Sequence, residues 1–248
     1  MFHGISDYKI SEIDQNAQPH LDKNEFENII FWLKNYFSFL KPDEIWNPDK
    51  SGILLTFDDG FQNNYKTVLP ILKRHNLPGL FFVTTQHIKN PRNWLHFVKN
   101  NLENYKIPKK LLTNKIKNDY YDGISEKQII KMAKDPLITI GSHTITHPIL
   151  SKTSESDIKN ELKESKEYLE TLTGNSIEYF SYPFGNYNKI VLDWVSKIGY
   201  RAAFGIDKVN NLGNPKFEIP RIGIYNDSKP YLSAKLSGIY KLPIRGII

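Results

Sequence analysis

SGILLTFDDG, residues 51–60, carries the pattern that decides the fold. A short apolar run follows a glycine and ends at two acidic residues and a second glycine, which is typical of a buried β-strand. A similar run occurs at 79–84 (GLFFVT), and a helical pattern at 63–75 separates the two. Pro70 is expected to kink or divide that helix. Strand, helix and strand in this order predict a parallel sheet covered by helices.

The alternation of helices and strands continues along the chain. Further helices are predicted at 23–40, 125–134, 154–171 and near 189–198, and further strands at 137–141, 177–182, near 201–205 and near 218–224. This order predicts an α/β fold, built either as an open doubly wound sheet or as a closed or nearly closed barrel. Because no linker rich in Ser, Gly or Pro divides the chain, we expect a single domain over 1–248, with an irregular insertion near 89–123.

The composition excludes several classes of protein. The chain has 248 residues, 40% hydrophobic and 24% charged, which is typical of globular proteins and not of collagen-like or disordered ones. It has no cysteine, which excludes disulfides, thiolate zinc sites and cysteine nucleophiles, so any metal must be bound by His, Asp or Glu. The net charge of +6 is not concentrated in a dense basic run, so no nucleic-acid partner is expected.

The two ends of the sequence and its apolar stretches bear on the cellular location of the protein. Residues 1–10, MFHGISDYKI, lack the basic head and apolar run of a secretory signal, and no stretch reaches the roughly 18 apolar residues of a membrane span. The sequence therefore predicts a cytoplasmic protein. The tail at 235–248 combines apolar residues with three cationic ones, so peripheral contact with an anionic membrane is an alternative to a buried strand or disorder. Nothing in the sequence indicates an oligomeric state.

Residues that can bind a metal follow two of the predicted strands. Asp58 and Asp59 are adjacent carboxylates, which repel each other unless a cation or a proton intervenes. His143 and His147 follow the strand at 137–141, and their spacing predicts one face of a helical turn, where both can bind one ion. A plain Asp-Gly turn and structural histidines are the alternatives. Two histidines and a carboxylate suit zinc or another first-row divalent metal.

These motifs, taken in order, resemble a known family. TFDDG at 56–60 and SHTITH at 142–147 are similar to the first two motifs of the polysaccharide deacetylases, carbohydrate esterase family 4, and FSYPFG at 180–185 is similar to the third. The resemblance covers about 52–224. It implies a distorted (β/α) barrel, often with seven strands, and a metal-dependent hydrolase. The implied reaction removes an acetyl group from an N-acetylated sugar of a glycan or surface-polysaccharide precursor.

The resemblance also implies roles for individual residues. The implied ligands of one divalent metal, zinc or another first-row metal, are Asp59, His143 and His147. Asp58 corresponds to the general base of the family. The backbone N–H of Phe184 corresponds to the donor that contacts the developing oxyanion.

Two departures from the family pattern concern the base and the acid. The family commonly has an arginine that orients the base two residues before the proline of the third motif, where this sequence has Ser181. Arg221 is the candidate substitute, and a structural arginine is the alternative. No histidine follows His147, although family members commonly have a late one that protonates the leaving amine. The opening FHGI resembles the start of circularly permuted poly-N-acetylglucosamine deacetylases, which implies His3 as the general acid, with a disordered terminal residue as the alternative.

Three aromatic residues are candidates for sugar binding. Tyr182 and Tyr225 lie at predicted strand ends and Trp94 lies in the insertion, with core packing as the alternative. Other histidines without a partner in the sequence, His20, His75 and His87, are expected to have surface or structural roles. Two other functions stay open: a hydrolase of another C–N bond in a small amide, and a carbohydrate-binding protein without catalysis.

Overall fold

The computed structural model describes residues 1–7, 20–90, 121–206, 212–225 and 227–237. Trp94, most of the predicted insertion and most of the tail at 235–248 lie outside the described residues. The single domain over 1–248 therefore stays a prediction.

A parallel sheet of five strands forms the centre of the described part of the chain. Two short strands precede it, β1 (Ile5–Ser6) and β2 (Leu21–Asp22), which pair with each other in parallel. The sheet itself contains β3 (Thr56–Phe57), β4 (Gly79–Val83), β5 (Ile138–Ser142), β6 (Tyr179–Ser181) and β7 (Ala202–Phe204), and the strands lie side by side in that order. Strand β4 is buried along its whole length, as its apolar sequence predicts. The predicted α/β fold with a parallel sheet is confirmed.

Helices connect and cover these strands. They are α1 (Lys23–Lys34), α2 (Leu69–His75), α3 (Thr85–Lys89), α4 (Glu126–Ala133), α5 (Glu155–Thr173), α6 (Lys189–Ile198) and α7 (Lys229–Ser237). One-turn 3₁₀ helices lie at Leu150–Lys152, Pro183–Gly185 and Pro215–Phe217, and a longer one lies at Pro42–Trp46. Side chains of Asp22, Ser154 and Asn188 accept hydrogen bonds from the first turns of α1, α5 and α6. These caps satisfy backbone N–H groups that have no partner inside the helix.

Pro70 divides the helical segment at 63–75, as predicted. The segment begins as a π-helix over Asn64–Val68 and continues as α2. The proline lies in the first turn of α2, where the π-helix passes into the α-helix, and it has no N–H to donate into the helical hydrogen-bond series.

Single hydrogen-bonded bridges extend the sheet beyond both edge strands. Phe2 pairs in parallel with Phe57 of β3, and its N–H donates to the carbonyl of Thr56 at 2.8 Å. At the opposite edge, Ile219 pairs in parallel with Phe204 of β7. Both edges of the sheet are therefore covered, which removes unpaired backbone groups that would favour aggregation.

Met1 links these two bridged segments to each other. Its terminal nitrogen donates to the carbonyl of Ile222 at 2.8 Å, and its carbonyl accepts from the N–H of Ile224 at 2.9 Å. Hydrogen bonds thus continue from one edge of the sheet to the other. Among the described residues only five segments of this sheet are strands, so seven strands are not confirmed. The strand predicted near 218–224 is reduced to the bridge at Ile219.

An aromatic stack anchors the N-terminal segment on the sheet. The ring of Phe2 lies 5.5 Å from Phe57 and 5.2 Å from Phe26 of α1, and Phe57 in turn stacks on Phe81 at 4.7 Å. All four side chains are buried. Burial of a phenylalanine side chain stabilises by about 1.5–3 kcal/mol, so the stack holds His3 beside the carboxyl end of β3.

Membrane-spanning helices were also sought in the described segments. None of their helices combines the length and the apolar character that crossing a bilayer requires.

Candidate metal centre

Asp59, His143 and His147 converge where β3 and β5 end. Asp59 Oδ1 lies 3.5 Å from His143 Nε2 and 3.4 Å from His147 Nε2. One candidate ligand atom from each residue lies within 4.8 Å of the others, and all three side chains are buried. A carboxylate oxygen and two imidazole nitrogens that meet in this way suit a divalent ion such as zinc. The residues therefore fit the metal that the sequence predicts.

The protonation states of His147 and Asp59 also suit a ligand set. Burial lowers the pKa of His147 to about 3, and the charge of His143 acts in the same direction. The imidazole is therefore neutral at pH 7. Burial alone would raise the pKa of Asp59, but His143 and His3, which lie nearby, outweigh it and hold that pKa well below its ordinary value. Metal binding requires neutral imidazoles and ionised carboxylates.

Backbone carbonyls contact the ring nitrogens of two histidines at the site. His143 Nδ1 donates a hydrogen bond to the carbonyl oxygen of Ser181 at 2.7 Å, and Nε2 is directed at Asp59. The buried ring of His87 contacts the carbonyl of Asp59 at 3.2 Å and that of Tyr121 at 3.2 Å. The sequence predicts a surface or structural role for His87; the side chain is buried, and its contact supports the backbone of a candidate ligand.

The segment 143–147 forms an irregular loop, which we call the ligand loop. The predicted helical turn is therefore wrong. Thr144 and His147 have φ of 69° and 53°, in the left-handed region that non-glycine residues rarely adopt. These two left-handed residues curl the chain so that both imidazoles contact Asp59. Thr144 Oγ1 stabilises the curl because it accepts the N–H of His147 at 3.0 Å.

Arg221 forms a buried two-point ion pair with Asp58. Its Nη1 and Nη2 donate to the two carboxylate oxygens, each at 2.7 Å. Nη2 also donates to Ser181 Oγ at 2.7 Å, and Nε donates to the carbonyl of Gly205 at 3.0 Å. Burial alone would raise the pKa of Asp58, but the charge of Arg221 outweighs it and lowers that pKa. Arg221 thus contacts the carboxylate that the resemblance assigns as the base, and Ser181 completes the network.

His3 lies on the same side of the sheet as the two carboxylates. Because Phe2 pairs in parallel with Phe57, the residues that follow them, His3 and Asp58, lie on neighbouring segments. The charge of His3 contributes to the lowered pKa of both Asp58 and Asp59. Its ring stacks on that of Tyr225 at 6.0 Å, and Tyr225 is exposed. The structure brings both sequence-predicted residues to the neighbourhood of the site.

Phe184 lies at the open side of the ligand set. It belongs to the one-turn 3₁₀ helix Pro183–Gly185, has φ of 57°, and its ring lies 4.6 Å from that of His147. Its side chain is 43% exposed. The turn holds the backbone of Phe184 beside His147, so its N–H is a candidate donor to a ligand.

Tyr182 does not line the open cleft. Its side chain is fully buried, stacks on Tyr187 at 4.3 Å, and donates its hydroxyl to the carbonyl of Phe217 at 2.9 Å. The expectation that Tyr182 contacts substrate is corrected, because its only polar group is directed into the core. Trp94 lies outside the described residues, so its expected sugar contact stays a prediction.

Known proteins resemble the chain in sequence. The protein YxkH of Bacillus subtilis (strain 168) is 26% identical over 209 residues, which cover 81% of this chain. The chain spans 61% of the length of YxkH. The poly-beta-1,6-N-acetyl-D-glucosamine N-deacetylase of Staphylococcus aureus (strain MSSA476) is 26% identical over an alignment of 252 residues, which covers 94% of this chain and 78% of that protein.

Solved structures and a family model agree with the motifs. IcaB from Ammonifex degensii has a TM-score of 0.72 at 21% identity and 94% coverage of both chains. The Streptococcus pyogenes deacetylase PplD in complex with acetate has a TM-score of 0.71 at 22% identity, covering 94% of this chain and 95% of PplD. These two structures share the fold. The family model described as polysaccharide deacetylase matches residues 46–203. The chain therefore belongs to the polysaccharide deacetylase family, carbohydrate esterase family 4.

Proposed function

We propose that this chain is a metal-dependent hydrolase that removes acetyl groups from the N-acetylated sugars of a polysaccharide. The observation that carries the proposal is the convergence of Asp59, His143 and His147 beside Asp58, with Arg221 paired to Asp58. Poly-β-1,6-N-acetylglucosamine is the first candidate substrate, because the S. aureus relative that aligns with 94% of the chain is named for that activity.

The candidate ligands would hold one divalent ion, and zinc suits the two nitrogen donors and one oxygen donor best. Such an ion, when bound, supplies Lewis acidity that lowers the pKa of water from about 15.7 to about 7 and polarises a carbonyl. The side chains of Asp59, His143 and His147 leave positions open for water and substrate, since three protein ligands are typical of catalytic zinc sites.

Asp58 would accept a proton from the attacking water. Its carboxylate is buried, and its lowered pKa keeps it ionised at pH 7. Arg221 would act as a positioning residue, because its two hydrogen bonds fix the carboxylate in one orientation. A base held in place in this way contributes about 10²–10⁴-fold to a rate.

Three residues would contact the substrate at the open side. The backbone N–H of Phe184 would donate to the oxyanion that develops on the amide carbonyl. His3 would donate a proton to the departing nitrogen, so that the products are acetate and a free amino sugar. Tyr225, an exposed aromatic residue stacked on His3, would pack against the sugar ring.

The experiment measures acetate released from N-acetylated β-1,6-glucosamine oligomers by zinc-loaded protein. We expect wild type to release acetate and Asp58→Asn to lose at least about 10²-fold in rate, with its zinc content unchanged. Asp49→Asn removes an exposed carboxylate outside the three motifs and serves as the matched control.

Two outcomes would contradict the proposal. Hydrolysis of small cyclic amides without acetate release from the oligomers would indicate the other C–N hydrolase. Oligomer binding by zinc-loaded wild type without any acetate release would indicate a carbohydrate-binding protein.

The location and the membrane contact stay predictions. Cell fractionation tests the cytoplasmic placement, and detection of the chain only with exported polymer would contradict it. Residues 238–248 of the tail at 235–248 lie outside the described part of the chain.

A further inference from the structure

Glu161 of α5 holds the backbone of the ligand loop through three hydrogen bonds. Its Oε2 accepts the N–H of Ile145 at 2.7 Å and that of Thr146 at 2.9 Å, and its Oε1 accepts the hydroxyl of Thr146 at 2.5 Å. The side chain is 9% exposed. Two consecutive backbone N–H groups that point at one carboxylate oxygen form a strong, geometrically specific contact.

The opposite side of the same loop is held by α3. The N–H of Thr85 donates to the carbonyl of Thr144 at 3.1 Å, and the N–H of Gln86 donates to the carbonyl of Ile145 at 3.1 Å. Hydrogen bonds therefore fix the carbonyl groups on one side of the ligand loop and the N–H groups on the other side. Of these contacts, only those of Glu161 come from a side chain, so a single substitution can remove them.

Helix α5 also contacts the residue before the ligand loop. Ser165, one helical turn after Glu161, has its Oγ 2.8 Å from Ser142 Oγ at the end of β5. One face of α5 therefore fixes the chain on both sides of His143. This arrangement sets where the first imidazole leaves the sheet.

The conformation of the ligand loop needs this support. Thr144 and His147 are both in the left-handed region, which costs conformational energy for residues with a Cβ atom. Such strain persists only where surrounding contacts favour it over the relaxed conformation. Without the carboxylate, the N–H groups of Ile145 and Thr146 would lose their acceptor, and the loop could relax so that His143 and His147 separate.

We propose that Glu161 is a positioning residue for the metal centre: it fixes the spacing of His143 and His147 and thereby sets the affinity for the ion. This inference rests on the proposed metal site. Glu161 itself is not a ligand, because its two carboxylate oxygens are engaged with Ile145 and Thr146. It acts on the backbone between the ligands.

The test compares zinc affinity in Glu161→Ala, Glu161→Gln and the matched control Glu164→Ala, which removes an exposed glutamate of the same helix. The zinc dissociation constant of each metal-free protein is measured by competition with a chromophoric chelator. Circular dichroism and thermal unfolding of the metal-free proteins report whether each variant is folded.

We expect Glu161→Ala to weaken zinc binding by about 10- to 100-fold, as is common for residues that orient metal ligands. Glu161→Gln should lose less, about 2- to 10-fold, because its amide oxygen can still accept both N–H groups while the charge is lost. Glu164→Ala should bind zinc like wild type. A loss that is smaller in Glu161→Gln than in Glu161→Ala, but still present, distinguishes loop positioning from a general effect on folding.

Folded Glu161→Ala with wild-type zinc affinity would overturn the inference, as would an equal loss in Glu164→Ala. If Glu161→Ala does not fold, Glu161→Gln decides, and wild-type affinity in that variant would overturn it. A wild-type chain that binds no zinc would contradict the proposed metal site and this inference with it. Wild-type binding with unaffected variants would contradict only the role of Glu161.

Discussion

Replacement of Arg221 by methionine should strongly destabilise the protein. Asp58 is 2% exposed, and Arg221 donates to both of its carboxylate oxygens. Removal of one partner of a buried ion pair costs about 3–5 kcal/mol, because the remaining charge stays buried without compensation. For a chain of 248 residues each kcal/mol changes Tm by about 2–4 °C, so Arg221→Met should lower Tm by about 6–20 °C.

The assay is thermal and chemical unfolding of the metal-free protein, so that ion binding does not contribute to stability. Arg201→Met is the matched control: it removes an arginine whose ion pair with Glu178 is on the surface, and it should cost at most about 1 kcal/mol. The double variant Asp58→Asn with Arg221→Met removes the uncompensated charge. It should recover at least about 1 kcal/mol relative to Arg221→Met alone.

Two results would refute this reasoning. The first is a loss of stability in Arg221→Met no larger than that in Arg201→Met. The second is a double variant that is no more stable than Arg221→Met, because the cost would then not come from the charge of Asp58.

Three further predictions concern single side chains. Tyr182→Phe loses the hydrogen bond to the carbonyl of Phe217 and should lower the free energy of unfolding by about 1 kcal/mol, measured by thermal unfolding. Its zinc affinity should stay within about twofold of wild type. A change in zinc affinity without a change in stability would contradict the position of Tyr182 in the core. Burial alone would raise the pKa of Glu218, but hydrogen bonds from backbone N–H groups and from the Tyr187 hydroxyl outweigh it and lower that pKa. The ionised side chain therefore stabilises the folded protein at pH values above the ordinary pKa of glutamate, and this stabilisation is lost as the pH falls through the pKa in the folded state. Glu218→Gln should therefore flatten the fall in Tm between about pH 5 and about pH 3, and an unchanged slope would argue against it. His3→Gln should keep its zinc and lose at least about tenfold in kcat for acetate release, whereas wild-type kcat would exclude His3 as the acid.

The local sequence predicted well those helices that begin at a capping side chain and end before a glycine. Helix α6 begins and ends where predicted, because Asn188 caps its first turn and Gly199 adopts the left-handed conformation after its last residue. The predicted helix at 154–171 matches α5 to within two residues at each end, with Ser154 as its cap and Gly174 after its end. Strand β4 could be predicted because every one of its residues is apolar or glycine and buried.

Features that depend on contacts between distant segments were predicted less well. The helical turn expected at the two histidines is wrong, because Thr144 adopts a left-handed conformation that contacts from α3 and α5 stabilise. Glu161 was missed, since it lies among other acidic and basic residues of α5, and only the folded chain distinguishes it. The burial of Tyr182 follows from packing against Tyr187, which the strand-end pattern does not reveal.

The role of Arg221 could be predicted from the sequence, but its contacts with Asp58 could not. The two residues are 163 positions apart, and no local pattern joins them. Arg221 was named because Ser181 stands where the family commonly has an arginine. Its exact partner atoms could come only from the structure.

Zinc content after equilibrium dialysis of wild type, Asp58→Asn and His147→Ala tests the metal centre most directly. We expect about one zinc per chain in wild type and in Asp58→Asn, and less than about a tenth of that in His147→Ala, because Asp59 and His143 alone provide too few ligands. Wild type without zinc, or His147→Ala with a full complement of zinc, would contradict a site formed by Asp59, His143 and His147.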